Sequence, residues 1–164
     1  MHILGYDWPR LHAALNDLPA ALLLVTVLFE WGAWLTKRES LRVAALWMLW
    51  AGVIGGWAAV AAGLQAEDAI EHGDAIHDLI ERHETLALIT MGVFTVILGY
   101  TLFRRGRLSA SEVLAVRGLS LAGLVGLIWT ARIGGEMAFE HAAGVPTAVL
   151  QAEIQNRAQS HHQH

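Results

Sequence analysis

The chain has 164 residues, of which 55% are hydrophobic and 16% charged, whereas soluble domains carry about 25% charged residues. With a mean hydropathy of +0.44, that balance excludes a large soluble catalytic lobe and points to a single membrane-embedded domain. A net charge of −4 argues against nucleic acid as a partner, and the lack of cysteine excludes disulfides, thiolate-held metals, iron–sulfur clusters and covalently attached c-type haem.

Residues 1–16 read as an interfacial segment, with Trp8 at headgroup depth. No basic leader region and no small-residue cleavage signature follow, so the first apolar stretch reads as a retained span. Four stretches approach or exceed the roughly 20 residues needed to cross a hydrocarbon core: Leu18–Leu35, Val43–Leu64, Leu86–Phe103 and Val113–Phe139. Asn16 or Asp17 is the expected cap of the first, with Pro19 tolerated in its first turn.

The first and second spans are joined by a basic turn containing Lys37, Arg38 and Arg42. The third and fourth are joined by Arg104, Arg105 and Arg107, with Arg117 following. The central connection, residues 65–84, is acidic: Glu67, Asp68, Glu71, Asp74, Asp78, Glu81 and Glu84 stand against Arg82 alone. The positive-inside rule places both basic turns in the cytoplasm, and the acidic loop and both termini outside. The expected fold is an all-α integral membrane four-helix bundle of a bacterial inner membrane, with residues 17–145 forming the bundle. All nine histidines then fall on the extracytoplasmic side. Residues 146–164 form a tail: Gly144 and Pro146 stop the fourth helix, and Thr147–Gln159 is expected to be a short amphipathic helix with Val149, Leu150 and Ile154 inward. The two hairpins share the pattern span, basic turn, span, which any four-span protein gives, and no further internal repeat is evident.

Several residues are candidates for chemistry. His83 opens the third span and shares a stripe with Ala87, Thr90 and Phe94. It reads either as an axial ligand to haem or a metal, or as a solvated interfacial histidine. Arg132, Glu136 and Glu140 recur every four residues in the fourth span, ahead of His141. Arg132 and Glu136 are an expected ion pair facing the bundle, with Arg132 available to an anionic group such as a haem propionate. His12 can fold over the bundle mouth, or sit beside Trp8 at the interface. His77 and Glu81, at helical spacing beside His72, Asp74 and Asp78, suggest a weaker divalent-metal cluster. Glu30 is an intramembrane carboxylate near Lys37 and Arg38. Glycines in the second, third and fourth spans permit close helix packing or clearance for a flat macrocycle.

Leu11-His12-Ala13-Ala14-Leu15-Asn16-Asp17-Leu18-Pro19-Ala20 and its aliphatic continuation resemble the opening of the four-span family called domain of unknown function 2231. His83 and the segment Gly134-Gly135-Glu136, continuing to His141 and Gly144-Val145, extend the likeness from about Leu11 to Val145. In the family's opening pattern, proline stands at position 13 and a second histidine at position 17, where this chain has Ala13 and Asp17. The resemblance implies a four-helix membrane fold and a redox setting, sometimes near c-type cytochromes.

Three functions follow as expectations. One is electron transfer through a non-covalent b-type haem, with two of His12, His83 and His141 as axial ligands and Arg132 near a propionate. Another is a copper, iron or zinc site using His12, His83 and His141 with Glu136 or Glu84. The last is a cofactor-free subunit of a larger membrane complex. Expected partners are membrane lipid, a periplasmic c-type cytochrome or other redox protein, and further membrane subunits; an electron carrier or subunit is expected rather than a stand-alone enzyme.

Overall fold

The computed structural model describes residues 6–70, 74–104 and 107–161. Four long helices, α1 (Trp8–Thr36), α2 (Glu39–Glu67), α3 (Asp74–Phe103) and α4 (Ala110–Phe139), precede a shorter α5 (Thr147–His161). Each of α1 to α4 is long and apolar enough to cross a membrane. At 1.5 Å per residue, 29 or 30 residues extend about 44 Å, so each helix overshoots a ~30 Å hydrocarbon core by about two and a half turns in total.

These helices start earlier and end later than the apolar stretches. The apolar run reports burial in lipid, whereas the helix continues into the headgroup region for as long as its backbone can bond to itself. The cap of α1 is Asp7 rather than Asn16 or Asp17: its carboxylate accepts from the Arg10 N–H at 3.0 Å, and Pro9 sits in the first turn. His12 therefore lies within the first bundle helix, not in a separate interfacial segment. Pro19 is well inside α1, buried, with its ring against Gly55 of α2. Most of the acidic central connection is helical too, because α2 runs to Glu67 and α3 begins at Asp74. His2, His72, His162 and His164 lie outside the described residues.

The helices run up and down around a square, each packing on its sequence neighbours, with α4 closing against α1. The α1–α2 pair is the most extensively packed, and α1 and α3 face one another across the diagonal. Leu23, Val27, Leu49, Val53, Met91, Phe94, Ile97 and Leu98 form the core, with Phe94 fully buried. At the basic end Ser109 and Glu112 form a capping box for α4, and Glu112 also accepts from Tyr100 and Arg104. Among the described residues the tail helix α5 does not pack along any of the four bundle helices. Val149 and Ile154 are exposed, against the expectation that they turn inward.

The bundle is a tandem repeat, contrary to the sequence reading. Gly52 of α2 rests on Leu23 of α1, and Gly123 of α4 rests on Phe94 of α3; Gly55 meets Pro19 as Gly126 meets Thr90. Each pair maps onto its counterpart by one offset of 71 residues (Leu23 to Phe94, Gly52 to Gly123). The same offset aligns Ala51-Gly52-Val53-Ile54-Gly55 with Ala122-Gly123-Leu124-Val125-Gly126. Small residues let each hairpin's backbones approach closely, and this shared seam makes the second hairpin a pseudo-equivalent of the first.

Candidate functional site

At the end of the bundle where α1 and α3 begin, His12 and His83 project from diagonal helices toward the same point. The Nδ1 of His12 bonds to the Ala59 carbonyl of α2 at 2.8 Å, and the Nδ1 of His83 to the Thr130 carbonyl of α4 at 3.0 Å. In each case the partner lies 47 residues along the chain, and the two bonds are equivalent under the repeat. A carbonyl only accepts, so each Nδ1 carries the proton and each Nε2 keeps an unshared lone pair. This is how ligand histidines are commonly oriented, one ring nitrogen tethered and the other free to coordinate.

Glycine makes room for both rings. A Cβ on Gly63 would lie 3.0 Å from the His12 ring, and one on Gly134 would lie 3.1 Å from the His83 ring. The two imidazoles stand edge to face with centroids 6.2 Å apart and planes at 88°. Two imidazoles sharing one metal atom at about 2.0 Å from each Nε2 would have centroids about 6 Å apart. The two rings thus lie within the spacing at which imidazoles can share one metal atom.

The other candidates do not join them. His141 is exposed just beyond the end of α4, with no bond or ring contact to His12 or His83 among the described residues. Arg132 is exposed too, and its guanidinium covers the Trp129 ring at 5.0 Å instead of pairing with Glu136. The reason is rotation about the helix axis: Thr130 and Gly134 turn toward His83, which points Arg132 outward, where a long side chain can reach the headgroups. Glu136 is half-buried and forms no ion pair among the described residues. On α3, His77 and Glu81 do meet, at 3.6 Å, but no group of three metal-ligating side chains converges among the described residues. Sequence reasoning missed Ala59, Gly63 and Thr130 as parts of the site. The signal was present: Gly63 and Gly134 stand in the same register to their histidines.

A family model described as "Predicted membrane protein (DUF2231)" matches residues 9–147. The chain belongs to this family. In this DUF2231 protein the matched stretch contains all four bundle helices except Trp8, together with both tethered histidines. No curated protein and no solved structure matches the chain.

Proposed function

We propose that this DUF2231 protein binds one non-covalent b-type haem between His12 and His83 and transfers electrons through it. The observation that carries this reading is the pair of imidazoles, tethered at Nδ1, open at Nε2 and spaced for one metal atom. A copper, iron or zinc ion held by protein alone ordinarily needs three or four side-chain ligands, and among the described residues two converge. A haem brings its own four equatorial nitrogens and needs two from the chain. Residues that meet the rings on α2 and α4 suit a flat group because they are small: Ala59, Gly63 and Gly134.

When bound, such a haem supplies a one-electron couple. The chain would supply the rest: His12 and His83 would hold the group, the Ala59 and Thr130 carbonyls keep the two rings oriented, and the apolar bundle would exclude water. The positive-inside rule places the basic turns in the cytoplasm, and with them the histidine end on the outer side of a bacterial inner membrane. A soluble redox partner on that side would exchange the electron.

Spectroscopy of the detergent-purified protein tests the reading. The expected result is a Soret band with sharp visible bands on dithionite reduction, at one haem per chain, lost in His12→Ala and in His83→Ala alike. A colourless preparation from haem-replete cells overturns it and favours a cofactor-free subunit of a larger complex.

A further inference from the structure

The basic end breaks the repeat. There Arg117 of α4 is only 8% exposed, and its counterpart in the first hairpin is the apolar Leu46. Among the described residues its Nε has no hydrogen-bond partner, nor has the buried Nε1 of Trp31. No carboxylate pairs with Arg117 among the described residues. The guanidinium instead lies over the Trp34 ring at 5.6 Å, and Lys37 approaches the same ring at 5.8 Å. Trp31 packs edge-on against Trp34 at 5.6 Å. Arg42, which could add a third cation, is engaged by Glu39 at 3.3 Å. Glu30 is within electrostatic range of Arg117, with no ion pair between them among the described residues.

A buried cation with an unmet N–H is costly in a membrane unless something compensates it. Two cations and an orphaned indole N–H around one half-exposed tryptophan make a donor-rich cluster with a net positive charge even when Glu30 is counted as ionised. We infer that Arg117 and Trp31, with Lys37 at the rim, bind a phosphate-type oxyanion at the basic end of the bundle. Phosphate oxygens match the guanidinium fork and accept from the indole as well. Arg117 lies seven residues inside the start of α4, about 10 Å along the helix axis. With several ångströms of that length outside the hydrocarbon core, this is a depth a lipid phosphate can approach.

The test uses the full chain, delipidated in maltoside detergent, and follows its thermal unfolding. Short-chain phosphatidylglycerol, inorganic phosphate and a short-chain diacylglycerol without phosphate are added separately at matched ionic strength. At roughly ten times Kd the phosphate-bearing probe is expected to raise Tm by about 4 °C, and the diacylglycerol to leave it unchanged. A response to phosphatidylglycerol alone identifies a lipid headgroup, whereas a response to inorganic phosphate identifies the free ion. Trp31→Phe, which keeps the ring and removes the N–H, should at least halve the shift, and Arg117→Gln should abolish it. Arg10→Gln, which removes a cation at the opposite end, should preserve it. Glu30→Gln should preserve or enlarge it. The inference is overturned if neither phosphate-bearing probe stabilises the wild type, or if Trp31→Phe and any folded Arg117→Gln protein respond in full. It is also overturned if Glu30→Gln abolishes the shift, since Glu30 would then be the partner Arg117 requires.

Discussion

A histidine near the end of a membrane helix is ordinary; a histidine whose Nδ1 is held by the neighbouring helix and whose ring rests on a glycine is not. His12 and His83 both meet that description, and the tether is what distinguishes them from the exposed His77 and His141. Their equivalence makes a prediction at this scale. Gly63→Val and Gly134→Val each place branched carbon where an imidazole lies, so each should displace its histidine and lower haem retention by at least tenfold. The effect is read from the reduced-minus-oxidised spectrum, and full retention in both variants would show that the rings are not held by the glycines. Their carbonyl partners cannot be deleted by substitution, but Thr130→Pro removes a backbone N–H inside α4 and should disturb the His83 half more than the His12 half.

Within each hairpin the decisive contacts are glycine against a large side chain. Gly123 of α4 receives Phe94, the most buried large side chain in the protein. Phe94→Ala should therefore cost about 3–5 kcal/mol, measured by reversible unfolding in sodium dodecyl sulfate mixed micelles. Leu23, its counterpart in the first hairpin, is equally buried, and Leu23→Ala should cost about 2–5 kcal/mol. Gly52→Val acts on the same seam from the other side: a Cβ there would lie 2.8 Å from Leu23 Cδ2. The hairpin must open to admit it, and a loss comparable to that of Leu23→Ala is expected. The helix ends were only partly legible beforehand. Asp7 is a better cap than Asn16 because Pro9 follows it into the first turn, but the apolar run starts later and draws attention to the wrong residue.

For the whole molecule, the charge pattern and the repeat give complementary predictions. The absence of cysteine allows single reporters to be introduced cleanly. An impermeant maleimide should label Asp68→Cys in intact cells and Arg107→Cys only after permeabilisation; the reverse pattern would invert the proposed orientation. What the sequence determined by itself is the number of membrane helices, the segregation of basic turns from acidic connections, and a short set of histidines worth following. Those properties are local, since the gain from placing an apolar segment in lipid accumulates residue by residue along the chain. The tertiary structure decided which histidines meet. Convergence of His12 and His83 depends on the rotation of four helices about their axes, set by small residues dispersed from Gly52 to Gly134, and no single segment encodes it. The same packing turned Arg132 outward, buried Arg117, and revealed a repeat that survives in the register of the glycine contacts more clearly than in the identity of the residues.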